Sequence, residues 1–191
     1  MRKWIEDPAG VRPMLATTAT APLESADLVY EPKYDGIRAL ASVTPASPAA
    51  VRLWSRLGNE KTAQFPEVVG VLQKWARTLD RPVLLDGEVV ALDDRGEPTG
   101  FQNLQGRIHL KAGGASGASG ARRAGGDDGA RGGDGAEVAF IVFDLLRDGD
   151  EDVRPLPLHE RRGRLEKLLR KLPDARLRIS EIGRASCRER V

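Results

Sequence analysis

The stretch Glu31-Pro32-Lys33-Tyr34-Asp35-Gly36-Ile37-Arg38 connects two runs of β-forming residues, 28–31 and 37–43, and overlaps the ends of both. Its Asp-Gly pair is typical of a tight turn, so the pattern places Lys33 between two strands. A lysine amine becomes a useful nucleophile when its proton is removed and its position is fixed. Arg38 can favour the neutral amine by like-charge repulsion, and it can also bind a phosphate. The alternative is a surface hairpin that carries two solvated cations.

The composition is that of an ordinary globular domain. The chain has 191 residues, of which 40% are hydrophobic and 30% charged. One core of ordinary size, and therefore one domain, is expected. No apolar run approaches the length of a membrane span, and charges and prolines interrupt residues 1–15 where a signal peptide needs an apolar segment. We therefore expect a cytoplasmic protein without a membrane partner.

The balance of charge gives no general argument for a polyanionic partner. Outside residues 184–191 the basic and acidic side chains cancel, so any basic face has to be local. The single cysteine, Cys187, excludes a disulfide framework and a cysteine-based zinc site. Residues 183–191 have no apolar period, and we expect them to be a non-native tail.

The pattern of strands and turns predicts an α+β domain. Segments typical of strands occupy residues 51–55, 83–85, 89–92, 138–145 and 177–181. The nearly continuous apolar run at 138–145 is typical of a buried central strand, and Arg147-Asp148-Gly149-Asp150 after it predicts a turn. Residues 112–136 are rich in glycine and alanine and predict a flexible surface loop.

Two helices are predicted between these strands. Pro66 is tolerated as the first residue of a helix, and apolar residues follow it at helical spacing: Val68, Leu72, Trp75 and Leu79. We interpret these four as core. The second helix starts at Pro157 and ends at Pro173.

Four further elements could share a site with Lys33. Arg56 follows a strand, where a solvated turn arginine is the alternative. Asp86-Gly87-Glu88 interrupts two apolar strands; buried carboxylates need partners, such as a sugar hydroxyl or a divalent cation, unless the motif is a plain turn. Phe143 is either core or a platform for a purine. Residues 101–105 have a polar centre between apolar anchors, which favours a packing role.

These residue types suit one chemistry well. Arginines hold phosphate oxygens, a carboxylate takes ribose or magnesium, and an aromatic ring stacks on a base. With such groups around it, a lysine can attack the α-phosphate of a nucleotide while pyrophosphate leaves.

Taken together, the motifs resemble the adenylation domain of ATP-dependent DNA ligases, closest to the bacterial end-joining ligase D type. The matching segments, in order, are 31–38, 53–58, 65–67, 85–88, 101–105, 140–146 and 156–161. The resemblance implies an α+β nucleotidyltransferase fold (ATP-grasp-like), a core of largely antiparallel sheets with flanking helices. It implies a partial adenylation domain over residues 1–182, with the glycine-rich insert at 112–136 and without the C-terminal OB-fold.

The same resemblance implies the reaction and its partners. Lys33 would take AMP from ATP with Mg²⁺ or Mn²⁺, pass it to a 5′-phosphate at a DNA break, and a 3′-hydroxyl would then displace it. DNA with strand breaks and end-joining repair proteins are the expected partners, and the bacterial nucleoid is the expected place of action.

Six residues receive roles in nucleotide binding from the resemblance. Lys33 is the nucleophile; the others are Glu31 for the adenine, Arg38 for the ribose-phosphate side, Arg56 as the second arginine, Glu88 for the ribose or the metal, and Phe143 for the adenine ring. Asp35 and Gly36 are interpreted as turn-formers.

Two alternatives stay open. The family's later motifs, a Glu-Gly pair ahead of a lysine and a Trp-x-Lys-x-Lys segment, are absent, so the chain could be a truncated, non-catalytic nucleotide-binding fragment. An RNA ligase or capping guanylyltransferase shares the lysine-Asp-Gly core. Arg38, Arg56 and the segment 143–146 favour the DNA enzyme.

Overall fold

The computed structural model describes residues 11–18, 20, 28–45, 50–105, 137–172 and 174–184. The strands are β1 Val29–Tyr30, β2 Ile37–Thr44, β3 Ala50–Ser55, β4 Val83–Ala91, β5 Val138–Asp148, β6 Glu151–Asp152, β7 Leu177–Ile179 and β8 Gly183–Arg184. The helices are α1 Pro66–Ala76 and α2 Leu158–Leu168, with short 3-10 turns at Thr62–Gln64 and Phe101–Leu104.

A six-stranded sheet organises the domain. Its strands follow the order β3-β2-β4-β5-β6, and β7 also pairs with β5. Only the β5–β7 pair is parallel among the pairings of the described residues. Strands β1 and β8 form a separate antiparallel pair. The prediction of an α+β fold with a largely antiparallel sheet is confirmed.

Helix α1 packs its apolar stripe on one face of this sheet. Val68, Leu72 and Trp75 are buried with the inward residues of β2, β4 and β5, and Leu79 packs against them just beyond the helix end. The Nε1 of Trp75 donates to the carbonyl oxygen of Leu168 at 3.3 Å, which joins α1 to α2. The predicted core of this helix is therefore confirmed, because burial of an amphipathic face follows from local spacing.

Strand β4 runs through the position where the sequence predicts a break. Asp86, Gly87 and Glu88 are all paired with β2, and they form neither a turn nor a gap between two strands. The ladder to β5 shifts register twice here, beside Leu85 and beside Gly87. A Cβ on Gly87 would lie 2.7 Å from Cε2 of Phe140, so the glycine permits a close approach of two strands.

The segment around Lys33 is not a hairpin. Strands β1 and β2 belong to different sheets, and residues 31–35 between them have no regular structure. Residue 36 lies so close to β4 that only glycine fits, because a Cβ there would collide with the carbonyl oxygen of Val89. The surface-hairpin alternative is therefore wrong, although the two flanking runs do form strands.

Two other predictions can be compared with the structure. Gly149 has a φ of +63° in the two-residue connection between β5 and β6, which confirms the predicted turn. The glycine-rich segment 112–136 and residues 185–191 lie outside the described residues, whereas Gly183 and Arg184 pair with β1. Within the described ranges, no helix has the length and apolar character needed to span a membrane.

Candidate nucleotide site

The face of the sheet opposite α1 carries the polar residues of the site. Successive side chains of a strand alternate between faces, and Ala39 and Leu85 point into the core that α1 covers. Arg38 pairs across the β2–β4 ladder with Glu88, and Asp86 lies two positions along β4. The register therefore brings one arginine and two carboxylates together on the second face.

Arg38 and Asp86 form a bidentate ion pair. The Nε and Nη2 of Arg38 each donate to an Asp86 carboxylate oxygen at 2.7 Å. Only 3% of the Asp86 side chain and 25% of the Arg38 side chain are exposed. Burial raises the pKa of Asp86, and the hydrogen bonds from Arg38 oppose this effect. Asp86 thus has its partner within the protein, not in a sugar hydroxyl or a cation.

Arg38 also lies over the ring of Phe143. The guanidinium carbon is 4.7 Å from the ring centroid, which is a cation–π contact. Phe143 is half-buried on β5 and does not belong to the core beneath α1. The structure therefore brings together two residues that the resemblance assigns to the nucleotide.

Glu88 connects this face to the segment that bears Lys33. Its Oε1 accepts a hydrogen bond from the backbone N–H of Gly36 at 3.2 Å. Burial raises the pKa of Glu88 to about 7, while the charge of Arg38 and the Gly36 N–H act in the opposite direction. The carboxyl thus titrates near neutral pH.

The raised pKa of Glu88 predicts a pH-dependent stability. Between its ordinary value of 4.5 and about 7, the folded chain keeps a proton that the unfolded chain has lost. The contribution of Glu88 to the free energy of unfolding is therefore present at low pH and is lost as the pH rises through 7. From pH 5 to pH 8, we expect wild type to lose about 1–2 kcal/mol more than Glu88→Gln, a value reduced for solvent screening. Urea unfolding at both pH values measures this difference; parallel curves for the two proteins would contradict it.

The segment around Lys33 is anchored by side chains, and Lys33 itself is exposed. The carboxylate of Asp35 accepts a hydrogen bond from the N–H of Phe101 at 3.1 Å. The 3-10 turn that starts there buries Leu104 completely, which confirms the packing role predicted for residues 101–105. Within the described part of the chain, the Lys33 amine has no hydrogen-bond or ion-pair partner.

Glu31 is held by residues near the end of the described chain. The hydroxyl of Ser180 donates to Oε1 of Glu31 at 2.9 Å, and Nη1 of Arg162 is 3.7 Å from the same oxygen. Ser180 is 1% exposed. Sequence reasoning missed both partners, because neither belongs to a recognisable motif and 149 positions separate Glu31 from Ser180.

A second ion pair missed from the sequence lies beside Phe143. Arg161 on α2 donates from Nε and Nη2 to the two carboxylate oxygens of Asp144, at 2.8 and 2.9 Å. Both side chains are largely buried. This pair fixes α2 against β5 next to the aromatic ring. The two partners stand in separate matching segments, 140–146 and 156–161, and no local pattern connects them.

Arg56 directly follows β3, the strand that pairs with β2. It is exposed in the turn after β3, where the N–H of Gly58 bonds to the carbonyl oxygen of Ser55 at 2.8 Å. Ser55 pairs with Ala39, so Arg56 leaves β3 at the level of Arg38. Among the described residues no bond joins it to the rest of the site.

The carboxylates on this face could hold a metal ion only together with the phosphates of a bound substrate. In the described ranges no group of three or more histidine, cysteine or acidic residues could hold a metal ion. Of the two β4 carboxylates on this face, Asp86 is paired with Arg38, so Glu88 is the one that could bind a metal ion. Mg²⁺ commonly uses one or two carboxylates together with substrate phosphates. Glu88 fits that arrangement and does not fit an all-protein cage.

Comparison with known sequences gives one family. A family model described as the ATP dependent DNA ligase domain matches residues 13–191. A DNA ligase of Natronomonas pharaonis is 36% identical over 163 residues, which are 83% of this chain and 26% of that protein. The multifunctional non-homologous end joining protein LigD of Mycobacterium bovis is 42% identical over 96 residues, 50% of this chain and 12% of that protein.

Comparison with solved structures agrees. A mycobacterial DNA ligase D complexed with ATP and MES superposes with a TM-score of 0.65 at 29% identity. The match covers 91% of this chain and 46% of that one. The chain therefore spans less than half the length of each of these three relatives.

Proposed function

This chain belongs to the ATP-dependent DNA ligase domain family, and from that premise we propose that it is the adenylation core of such a ligase. The Lys33 amine attacks the α-phosphorus of ATP, a P–N bond forms, and the bond to pyrophosphate breaks. The amine loses its proton, and AMP remains on the lysine. An oxygen of a DNA 5′-phosphate then attacks the phosphorus of this AMP, the P–N bond breaks and the lysine amine regains a proton. The 3′-hydroxyl finally attacks the 5′-phosphorus and loses its proton, and AMP leaves as the break is sealed.

The observation that carries the proposal is the placement of Lys33. Its backbone segment is tied to β4 through Gly36 and Glu88, and to residue 101 through Asp35. Lys33 is exposed, and it lies three residues before Gly36, whose N–H bonds to Glu88 on the face that carries Arg38. A nucleophile needs a fixed position and a free amine, and this arrangement supplies both.

The surrounding side chains support a purine nucleotide. Arg38 lies over the half-buried ring of Phe143, and we assign stacking on the adenine to this ring. We assign the adenine edge to Glu31, and the ribose and phosphates to Arg38 and Arg56. Their donors match phosphate and hydroxyl oxygens.

Glu88 is the residue proposed to hold Mg²⁺ or Mn²⁺. The bound ion would withdraw charge from the phosphate oxygens. Because the pKa of the Glu88 carboxyl lies near 7, a cation would compete with its proton.

The partners follow from the reaction. We propose DNA with strand breaks as the acceptor of AMP and, from the similarity to LigD, end-joining repair proteins as partners. Chromosomal DNA as substrate would place the chain at the bacterial nucleoid in the cytoplasm.

The test is incubation of the chain with α-labelled ATP and Mg²⁺. A covalent label that is stable in denaturant and released by acid, as a P–N bond requires, supports the proposal. Unlabelled ATP should compete and GTP should not; the reverse would favour a capping-type enzyme. ATP binding without a label would instead indicate a non-catalytic nucleotide-binding fragment.

A further inference from the structure

Glu31 is held in place by Ser180 and Arg162, and we propose that these two residues position it to select adenine over guanine. The inference rests on the proposed function, in which Glu31 contacts the base. Ser180 and Arg162 act through Glu31 and are positioning residues.

The direction of the hydrogen bonds is fixed by the groups involved. Arginine can only donate, so the Oγ of Ser180 accepts from Nη1 of Arg162 at 2.9 Å. A carboxylate can only accept, so the single hydroxyl hydrogen of Ser180 points to Glu31, at 2.9 Å. The serine therefore has one orientation, and it presents its hydrogen to one oxygen of Glu31.

Ser180 is itself immobilised. Its N–H donates to the carbonyl oxygen of Val142 at 2.8 Å, which continues the pairing of β7 with β5. Its own carbonyl oxygen accepts from Nη2 of Arg162 at 2.5 Å. The Nε of Arg162 donates to Glu166 one turn further along α2. The buried guanidinium thus bonds through all three nitrogens, and it attaches Glu31 to both the sheet and α2.

Glu181, which follows Ser180, holds the residue on the C-terminal side of Lys33. The phenol of Tyr34 forms a hydrogen bond with the backbone of Glu181, and the Tyr34 side chain packs against the cluster that contains Val90 and Ile141. Burial raises the pKa of the Tyr34 phenol, in keeping with its enclosed position. Residues 180 and 181 therefore fix the chain on both sides of Lys33, through Glu31 and Tyr34.

A fixed carboxylate can distinguish the two purines. The 6-amino group of adenine can donate to Glu31, whereas guanine places a carbonyl oxygen at that position. Two acceptors facing each other repel, and a site built for a donor rejects the analogue that lacks it. The Glu31 side chain is 37% exposed, so without Ser180 it could turn to solvent and avoid the repulsion. Selectivity thus depends on the hydrogen bond from Ser180.

The experiment compares Ser180→Ala and Arg162→Lys with Arg164→Met. Arg164 is on the same helix but pairs with Glu151, away from Glu31. Hydrogen–deuterium exchange of residues 31–36 measures the attachment of the segment. Equilibrium binding of ATP and GTP measures selectivity, and a Lys33→Ala background prevents the covalent step.

We expect Ser180→Ala to speed exchange at residues 31–36 and to lower the preference for ATP over GTP, each by about tenfold. Arg162→Lys should act in the same direction, because an ammonium cannot reproduce the guanidinium fork. Arg164→Met should leave both exchange and preference unchanged.

Unchanged exchange in Ser180→Ala would overturn the positioning role. Faster exchange with an unchanged ratio of ATP to GTP affinity would overturn the selectivity. If the unsubstituted chain neither binds ATP nor acquires a label, the proposed function fails together with the selectivity. The exchange measurement alone then decides whether Ser180 fixes Glu31.

Discussion

Replacing Lys33 with alanine is expected to reduce labelling by α-labelled ATP at least about a thousandfold, to background. Lys33→Arg should do the same. An arginine keeps the positive charge and the ability to bind phosphate, but its guanidinium is not deprotonated and cannot form the P–N bond. Labelling followed by denaturing gel electrophoresis measures the loss.

Lys74→Ala is the matched control for this experiment. Lys74 is exposed on α1, which covers the opposite face of the sheet. Its removal should leave the label unchanged. Lys33 is also exposed, so neither substitution should alter the thermal midpoint by more than about a degree or two. A label that persists in Lys33→Ala would place the nucleophile elsewhere and refute the assignment.

The elements predicted correctly are those whose signal is local. The buried face of α1 follows from the spacing of Val68, Leu72 and Trp75, which are all buried as expected. The run at 138–145 lies within β5, a strand that pairs along both edges. In both cases burial imposes a period or a continuous run that any window of the sequence displays.

The wrong predictions concern pairings between distant residues. An Asp-Gly pair is a turn signal by itself, yet β4 continues through Asp86 and Gly87 because β2 and β5 both pair with it there. The reason for the glycine, a close approach to Phe140, lies in another strand. Similarly, Val29 pairs with Arg184 and not with the strand that follows Lys33.

In the site, too, local motifs were predictive and pairings between distant residues were not. Motifs identified the residues proposed to touch the nucleotide, and the structure brings Arg38, Glu88 and Phe143 together. The motifs did not identify the side chains that hold these residues in place. The carboxylate of Asp86 suggested a sugar or a cation, because the alternation that aims it at Arg38 becomes visible only once β2 and β4 are paired in register.

The ion pair of Arg38 and Asp86 is expected to give the largest effect on stability. Asp86→Ala should lower the free energy of unfolding by about 3 kcal/mol, the low end for a buried pair, because it leaves a partly buried guanidinium without its carboxylate. Urea unfolding at pH 7 measures the loss. Asp152→Ala is the control, since Asp152 makes a similar pair with Arg154 that is much more open to solvent. That substitution should cost at most about 1 kcal/mol.

Removing the other partner adds a pH signature. In Arg38→Met the carboxyl of Asp86 stays buried and loses the hydrogen bonds that oppose the rise of its pKa. It should then fold in the protonated form. Because the folded chain binds this proton more tightly than the unfolded chain, the variant should lose stability relative to wild type as the pH rises from 5 to 8. A stability difference that does not change with pH would refute this account.

The double substitution Arg38→Met with Asp86→Leu separates structure from chemistry. Two apolar residues of similar size remove both charges, so we expect most of the lost stability to return. Labelling by α-labelled ATP should not return, because the donors of Arg38 that are proposed to reach the ribose and phosphates are gone and Phe143 no longer has a guanidinium on its ring. Recovery of both stability and labelling would mean that Arg38 serves only the fold; recovery of neither would mean that the pair cannot be replaced by packing.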